Sequence, residues 1–508
     1  MKTPMCSLLF AAALFVACNT PTPEQPDTDK KGGDTIPTED TTGVVTSTKV
    51  ATYITTADNT MHFTAITRQF GDGLNMSPEE TLTLNPKKTY QQFDGFGAAI
   101  TGSTAYNLMQ MSAENRTKLL KEAFSVSEGM GYSYVRVSIG GSDFNAHSNY
   151  EYSCCDTKGI ENFSLTSDEL DYVIPVLKEI LAINPDLKIM GTPWSCPKWM
   201  KVLNTTLKVG YDNWIGGYLN PDYYQDYATY FVKWIQAFEA QGVHITSVTV
   251  ENEPLNWGNS MSLYMPYDQE IAFIKVLGPA FQNAGLNTKI ICYDHNYNYD
   301  SKEDQQQYPL KVYADAEASK YVDGAAYHNY GGSPSELETI HKSAPNKNLY
   351  FTEASIGTWN YTSFSQSFMQ EMENTCLATV TRWCKAVIVW NFMLDDNGGP
   401  HGSSGACTTC YGCVDVSSKD YTTLTKRSHY YAIGHLSKAC KAGSTRIGTS
   451  GYTPSNVTVL AADNPDGTYG LVLLNKNDSG VSLRVEAGDK WFSITLPGKS
   501  TTSCVWEK

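Results

Sequence analysis

The 508-residue sequence predicts an α/β fold: a (β/α)8 TIM barrel with an attached antiparallel β-sandwich domain. Two observations favour it. Eight strand-like runs lie between residues 93 and 394, each followed by a helix-like segment or a long loop. Beyond about residue 420 the chain alternates apolar and polar residues in short runs separated by Gly, Asn and Asp, which is typical of antiparallel sheets.

The N-terminus predicts an export signal followed by a tether. Lys2 precedes an apolar stretch that is too short to span a membrane and has the shape of a signal peptide. The run "LFVAC" is similar to a bacterial lipobox, in which Cys18 becomes the lipidated N-terminus. Residues 1–18 are thus predicted to be a lipoprotein signal, with an ordinary signal peptide as the alternative. Residues 19–46 are polar and rich in Pro, Thr and Asp, which predicts a disordered tether. We expect an outer-membrane lipoprotein at the cell surface or facing the periplasm.

The folded part divides into three predicted segments. Residues 47–90 are strand-like and are expected to join the sandwich, residues 91–420 form the barrel, and residues 421–508 complete the sandwich. Predicted barrel strands occupy the runs 93–100, 132–139, 187–194, 245–254, 289–296, 322–330, 349–355 and 386–394.

Helix signals lie between these runs. Thr166 and Glu169 have the spacing of a capping box. Asn220 and Pro221 suit the start of a helix that Gly242 ends. Because active sites of such barrels lie at the carboxyl ends of the strands, the polar residues there are the candidate site.

The stretch "VTVENEPLNW" places acids at the end of the fourth strand. Two-residue alternation predicts that Thr249, Glu251 and Glu253 face into the barrel, with Glu253 at its mouth because Pro254 ends the strand. Glu353 closes the seventh strand. Two opposed carboxylates are what glycoside hydrolysis needs, one to protonate the leaving oxygen and one to attack the anomeric carbon. Ordinary salt bridges or helix caps are the alternative.

Seven stretches together resemble glycoside hydrolase family 30, which includes glucosylceramidases, β-1,6-glucanases and certain xylanases. They are "FDGFGAAI", "VRVSIGGSDF", "TPWSCPKWMK", "NEP", "YHNY", "FTEAS" and "WNFMLDDNGGP". Members of this family retain the anomeric configuration. The resemblance covers residues 93 to 400 and extends to the tail sandwich. It implies that Glu253 is the acid/base and Glu353 the nucleophile.

The resemblance also implies the contacts to the sugar. Asn252 would hydrogen-bond the sugar 2-hydroxyl, provided that the strand twists or ends near it. Further expected substrate-binding residues are Arg136 and Tyr330 beside the nucleophile, Asp143 and Trp194 at the far hydroxyls, His328 at the end of strand 6, and Trp390 under the sugar ring.

Two site assignments stay open at this stage. Glu251 is expected to be a buried carboxylate with a partner inside the barrel. Arg136 is one candidate for that partner, although the resemblance implies that it lies beside the nucleophile Glu353 and keeps it ionised. His295, in "YDHN", is either a site residue or a structural histidine.

The cysteines suit an oxidising compartment. Eleven follow Cys18, an odd number, so at least one is unpaired within the chain. Cys407, Cys410 and Cys413 in "CTTCYGC" have metal-like spacing but no evident fourth ligand, so a structural disulfide or free thiols are favoured over a metal. Cys154 and Cys155 are undecided. No metal or cofactor is predicted.

The functional prediction is a retaining endo-β-1,6-glucanase that hydrolyses β-1,6-glucan such as pustulan or fungal cell-wall glucan. A net charge of −15 argues against nucleic acid or an anionic membrane as a partner, with membrane contact only through the lipid anchor. The alternatives are an exo-acting β-glucosidase or glucosylceramidase-like enzyme, or a non-catalytic glycan-binding lipoprotein. The loops 203–221 and 397–413 are expected to decide between an open cleft and a closed pocket.

Overall fold

The computed structural model describes residues 49–71, 76–403 and 405–508. The predicted signal with Cys18, and the predicted tether, lie outside these residues. Among the described helices, none is both long and apolar enough to cross a membrane.

Eight parallel strands form the predicted barrel. In chain order, barrel strands 1 to 8 are Gly95–Ala98, Tyr134–Ser138, Lys188–Thr192, Ser247–Thr249, Lys289–Asn296, Val322–His328, Asn348–Glu353 and Cys384–Val389. Strands 1 to 6 lie inside the predicted runs, and strands 7 and 8 overlap theirs but begin one and two residues earlier. They are hydrogen-bonded in the order 1-8-7-6-5-4-3-2. A bridge between Ala99 and Arg136 closes the ring between strands 1 and 2, where the Ile100 N–H donates to the Arg136 carbonyl at 2.8 Å.

Helices cover the outside of the barrel, and their buried faces pack on the apolar strand residues. They are Gly102–Gln110, Ala113–Phe124, Ile174–Ile183, Tyr224–Ala240, Tyr267–Asn283, Tyr308–Ala314, Ser335–Ser343, Phe364–Gln370 and Ala378–Val380, with π-helical turns at Glu169–Val173 and Glu371–Leu377. The predicted capping box forms, because the Glu169 N–H donates to Thr166 Oγ1 at 3.3 Å and the Thr166 N–H donates to Glu169 Oε2 at 2.9 Å.

The sandwich is assembled from a nine-stranded sheet that contains both ends of the described chain. In spatial order its strands are Thr64–Gln69, Lys49–Thr56, Ser500–Glu507, Thr468–Asn475, Val457–Asp463, Thr445–Gly451, Thr81–Gln92, Val481–Ala487 and Lys490–Leu496. All neighbours are antiparallel except Thr81–Gln92 with Val481–Ala487, which run parallel. Apolar side chains such as Leu471, Val485 and Trp506 fill its core.

A helix at Ser428–Ala439 joins the barrel to the sandwich, and the sequence analysis did not predict it. Every one of its residues is buried. His435 hydrogen-bonds Ser503 Oγ at 2.8 Å and Thr55 Oγ1 at 2.9 Å, on two strands of the sandwich. On the barrel side, the Tyr132 hydroxyl donates to the Tyr430 carbonyl at 2.7 Å. A helix that is buried all round has no apolar stripe, so hydrophobic periodicity does not reveal it.

Short strands pair within the loops at the carboxyl ends of the barrel strands. Lys201–Val202 pairs with Tyr218–Leu219, and Ile356–Gly357 pairs with Cys410–Tyr411. Met393–Asp395, Val414–Val416 and Leu424–Lys426 form a three-stranded sheet. These pairs hold the loops that carry the candidate site.

Closure of the barrel depends on a small residue at position 97. A Cβ on Gly97 would lie 2.0 Å from the Tyr134 carbonyl oxygen in the adjacent strand. We therefore expect Gly97→Ala to lower the free energy of unfolding by about 1–3 kcal/mol, the usual cost of overpacking, and to lower the thermal midpoint. Gly210→Ala is the matched control, since a Cβ at Gly210 meets nothing within 4 Å. Equal midpoints for the two variants would contradict this account of barrel closure.

Candidate active site

The candidate site is built around the buried guanidinium of Arg136, in barrel strand 2. Its Nη1 donates to Glu353 Oε2 at 2.6 Å, and its Nη2 donates to Asn252 Oδ1 at 2.7 Å and to Asp294 Oδ2 at 2.9 Å. Its Nε donates to Thr192 Oγ1 at 3.1 Å. A buried charge is tolerated only when it is paired and hydrogen-bonded, and Arg136 meets both conditions.

Asp294, in barrel strand 5, is a central member of the site that the sequence analysis missed. Besides Arg136, it accepts hydrogen bonds from Thr249 Oγ1 at 2.7 Å and Thr352 Oγ1 at 2.6 Å, and it faces His328 Nε2 at 3.1 Å. Burial acts to raise the pKa of Asp294, but the charges of Arg136 and His328 outweigh it and hold the pKa far below its usual range. Asp294 has a φ of 54°, and the register with strand 6 shifts beside it, so alternation does not indicate where its side chain points.

Barrel strand 4 ends at Thr249, before the predicted end at residue 254. Glu253 has a φ of 46°, in the left-handed region, and its N–H donates to the Asp294 carbonyl at 2.9 Å. Two-residue alternation therefore does not hold between Thr249 and Glu253. This break lets the Asn252 side chain reach Arg136 inside the site.

Glu251 is fully buried beside Lys201 and Tyr227 and does not line the cavity that Glu253 and Glu353 line, so the prediction that it shares one inward face with Glu253 is wrong. Neither of its carboxylate oxygens has a well-formed hydrogen bond. Burial raises the pKa of Glu251 well above its usual range, although the nearby ammonium of Lys201 and the hydroxyl of Tyr227 oppose this. Arg136 is not its partner, because all of that guanidinium's hydrogen bonds go elsewhere.

Glu253 lies at the barrel mouth with hydrogen-bond donors on both oxygens. Its Oε2 accepts from Asn256 Nδ2 at 2.7 Å and from Asn259 Nδ2 at 3.0 Å, and its Oε1 faces His328 Nδ1 at 3.2 Å. Burial acts to raise the pKa of Glu253, but the hydrogen bond and charge of His328 outweigh it and lower the pKa to about 2. Glu253 is therefore ionised in the empty site at neutral pH.

Glu353 ends barrel strand 7 and is held from two sides. Its Oε2 accepts from Arg136, and its Oε1 accepts from the Tyr330 hydroxyl at 3.0 Å. Both contacts donate to the carboxylate, which favours its ionised form. Burial raises the pKa of Glu353, and the charges of His328 and Arg136 oppose that rise.

His328 connects the carboxylates of Glu253 and Glu353 electrostatically. One atom each of Glu253, His328 and Glu353 lies within 4.8 Å of the others. The two ring nitrogens of His328 face the carboxylates of Glu253 and Asp294. Burial acts to lower the pKa of His328, but Glu353 and Asp294 outweigh it and raise the pKa to about 9, so the imidazole is protonated at neutral pH.

The same three side chains have the composition of a metal site, where a metal ion would compete with the proton on His328. A protonated imidazole has no lone pair to give to a metal ion. Binding a cation here would first require His328 to lose the proton that both neighbouring carboxylates stabilise.

A cavity of about 310 Å³ lies above the two glutamates. Of the seven predicted substrate-binding residues, Asp143, Tyr330 and Trp390 line it. Asp143 Oδ1 has no partner among the described residues, and burial followed by the charge of Glu353 raises the pKa of Asp143 well above its usual range. A neutral acid at this position can donate a hydrogen bond to a sugar hydroxyl.

The other four predicted residues, Arg136, Trp194, Asn252 and His328, do not line the cavity. Trp194 is stacked on Trp390 with ring centroids 5.0 Å apart, and the Arg136 guanidinium lies 4.7 Å from the centroid of the Trp194 ring. These residues therefore support the ones that face the cavity. His295 does not line it either; burial lowers the pKa of His295 to about 4, which leaves a neutral buried histidine.

Several lining residues were missed by the sequence analysis, most of them in loops and one, Asn296, at the end of barrel strand 5. They are Asn256, Asn259, Asn296, Ser355, Trp359 and the pair Cys407 and Cys410. Asn256 and Asn259 lie in a loop and carry no periodic signal, so their proximity to Glu253 in "NEPLNWGN" was the only available clue.

The "CTTCYGC" stretch contains a disulfide between Cys407 and Cys410. This agrees with the favoured alternative in the sequence analysis. Cys413, Cys154 and Cys155 are buried free thiols.

The environment of Glu251 predicts a specific pH dependence of stability. Because its folded-state pKa is raised, its contribution to stability is full below the unfolded pKa of about 4.3 and is lost as the pH rises. Gln does not titrate, so we expect the melting temperature of Glu251→Gln, relative to the wild type, to increase between about pH 4 and about pH 8. Glu239→Gln, at an exposed position, is the control.

Glu251→Gln should also keep its hydrolytic activity, since Glu251 does not reach the cavity. A folded but inactive variant would show instead that Glu251 takes part in the reaction.

Comparisons with known proteins agree with this architecture. Residues 93–440 match the family model "Glycosyl hydrolase family 30 TIM-barrel domain", and residues 443–504 match "Glycosyl hydrolase family 30 beta sandwich domain". The chain is 54% identical to the solved structure of the endo-beta1,6-glucanase BT3312, with a TM-score of 0.86 over 91% of this chain and 99% of that one.

Two further relatives indicate the range of the family. The endo-1,6-beta-D-glucanase BGN16.3 of Trichoderma harzianum is 34% identical over 82% of this chain and 84% of that protein. The lysosomal acid glucosylceramidase of Mus musculus is 29% identical over 84% of this chain and 83% of that protein. The barrel, the sandwich and these matches establish that the chain belongs to glycoside hydrolase family 30.

Proposed function

We propose that this glycoside hydrolase is a retaining endo-β-1,6-glucanase with Glu353 as nucleophile and Glu253 as acid/base. The observation that carries the proposal is that one carboxylate oxygen of Glu253 and one of Glu353 lie within 4.8 Å of each other at the barrel mouth. Retaining enzymes hold their carboxyl groups about 5–5.5 Å apart, whereas inverting enzymes leave about 6.5–9.5 Å for a water molecule. The substrate class is supported by the relatives that are named endo-β-1,6-glucanases.

In the first step Glu353 attacks the anomeric carbon. Arg136 and Tyr330 fix one oxygen each of its carboxylate, and they keep it ionised and oriented. Glu353 gives up its charge to the new glycosyl bond, while the leaving oxygen takes a proton from Glu253.

The proton for Glu253 is held nearby. In the empty site it resides on Nδ1 of His328, 3.2 Å from Glu253 Oε1. Its transfer gives a neutral imidazole and a protonated acid without changing the net charge of the site. The carboxylate of Asp294 faces Nε2 of His328 and keeps the remaining ring proton on that nitrogen.

In the second step Glu253 is an ionised base that activates water against the glycosyl-enzyme. The Asn256 and Asn259 amides donate to the same oxygen of Glu253 and stabilise this anionic state. Water then releases the sugar with its original anomeric configuration.

The sugar between the carboxylates contacts a polar and an apolar wall. Trp390 offers an aromatic face to the pyranose ring, and the neutral carboxyl of Asp143 donates to a hydroxyl. A non-catalytic glycan binder would have no need for the carboxylate pair with its proton on His328. We therefore favour an enzyme over the binding-protein alternative.

We further propose that the protein is anchored by a lipid at Cys18 in the outer membrane. The support is the "LFVAC" stretch and the polar segment after it, which would leave the barrel free to meet a polysaccharide. Metabolic labelling with a palmitate analogue, compared between the wild type and Cys18→Ala, tests this anchor.

The proposed roles predict different kinetics for two isosteric variants. Glu353→Gln should abolish turnover of every substrate. Glu253→Gln should slow hydrolysis of β-1,6-glucan by about 10²–10⁴-fold. For β-glucosyl fluoride, the rate of the first step in Glu253→Gln should fall much less, since fluoride leaves without a proton. Azide should speed the second step of this variant, because azide attacks the glycosyl-enzyme without the help of a base. Equal losses on both substrates would contradict the division of roles.

Product analysis tests the substrate and the mode of attack. Chromatography of products from β-1,6-glucan should show mixed oligosaccharides early in the reaction, with no products from β-1,3-glucan or xylan. Glu353→Gln is the blank. Glucose as the sole early product, or rapid cleavage of a simple β-glucoside, would favour the exo-acting alternative.

A further inference from the structure

Trp359 is a half-exposed indole in the cavity that contains the catalytic pair. It lines this cavity together with Glu253 and Glu353, yet 51% of its surface is exposed. Trp390 lines the same cavity and is only 3% exposed. Because burial of an indole is strongly favourable, a ring left open at this position is available to stack on a ligand.

The backbone under Trp359 fixes the ring. The segment Ile356–Gly357 pairs with Cys410–Tyr411, and the Thr358 N–H donates to the Thr409 carbonyl at 3.0 Å. A Cβ on Gly357 would lie 2.0 Å from Cζ3 of Trp359, so the indole occupies the space that a side chain there would fill. The ring therefore rests directly on the strand pair formed by Ile356–Gly357 and Cys410–Tyr411.

The disulfide supports the same strand pair. It joins Cys407 to Cys410 and closes the turn that carries Thr409, which is the hydrogen-bond partner of Thr358. Both cysteines also line the cavity. One wall of the cavity is thus a cross-linked turn with Trp359 on its partner strand.

We propose that Trp359 is the stacking platform for a second glucose unit, adjacent to the unit held between Glu253 and Glu353, and that the disulfide keeps this platform in position. The inference rests on the proposed function. A β-1,6 linkage has one more rotatable bond than other glucan linkages, so binding must order a flexible chain. A rigid platform lowers the entropy cost of that ordering. The apolar C–H face of glucose suits an indole.

The first test compares a two-sugar substrate with a one-sugar substrate. We expect Trp359→Ala to lower kcat/KM for β-1,6-linked gluco-oligosaccharides by about tenfold more than for β-glucosyl fluoride. Trp359→Phe, which keeps a ring, should recover most of the loss. Trp491→Ala, on the sandwich strand Lys490–Leu496, is the matched control and should leave both values unchanged.

The second test moves the platform without removing it. Gly357→Ala displaces the indole, and Cys407→Ser with Cys410→Ser releases the turn. Both changes should lower kcat/KM for the oligosaccharides more than for β-glucosyl fluoride. The melting temperature of each variant is measured to show that the fold is retained. Dithiothreitol should give wild type the kinetics of the double serine variant, because the other nine cysteines of the described chain are already free thiols.

Binding separates the platform from the chemistry. In a Glu353→Gln background, calorimetry with a β-1,6-linked trisaccharide should give a Kd about tenfold weaker once Trp359→Ala is added. An unchanged Kd, or equal kinetic losses on both substrates, would overturn the platform alone. A wild type that is inactive on β-1,6-glucan would overturn the proposed function and, with it, the ligand assigned here.

Discussion

The buried ion pairs of Arg136 are the interaction on which the rest of the site depends. One guanidinium holds the carboxylates of Asp294 and Glu353, which belong to different barrel strands, and also contacts Asn252 and Thr192. Its own backbone closes the barrel against strand 1. Because an unpaired buried charge costs several kcal/mol, the strand ends cannot separate without exposing or orphaning this group. The position of Glu353 and the closure of the barrel are therefore set by the same residue.

The charge balance of the site follows from this arrangement. Arg136 and His328 are positive, and three buried carboxylates, Asp294, Glu253 and Glu353, surround them. During the proposed reaction negative charge leaves Glu353 and appears on Glu253, and His328 lies within 4.8 Å of both. The total charge stays constant, so the fixed dipoles and ions need little reorganisation. Such preorganised electrostatics are commonly the largest contribution to catalysis.

The sequence predicted the parts of the molecule that obey regular periods. All eight barrel strands, Glu353 at the end of strand 7 and Glu253 shortly after strand 4 follow from apolar runs that end in polar residues, and the sandwich follows from alternation. Asp294 was missed, and Glu251 was placed on the wrong face, because the chain departs from alternation near both. The helix Ser428–Ala439 has no polar face and gave no amphipathic signal. Asn256, Asn259 and Trp359 lie on loops, whose approach to the carboxylates depends on tertiary pairing such as that of Gly357 with Cys410.

These departures share a physical cause. Glu253, Asp294 and Asn391 all have a positive φ at a carboxyl end of a barrel strand. Left-handed backbone is unfavourable for residues other than Gly, and it persists only where surrounding contacts compensate for it. Here Asp294 is held by Arg136, and Asn391 Oδ1 accepts from Thr101 Oγ1 at 2.7 Å. The bends bring Asp294 to Arg136 and Glu253 to the cavity, where a regular strand would direct these side chains elsewhere. Sequence periodicity therefore fails at this site because the backbone there is shaped by the hydrogen-bond network and not by the strand's own repeat.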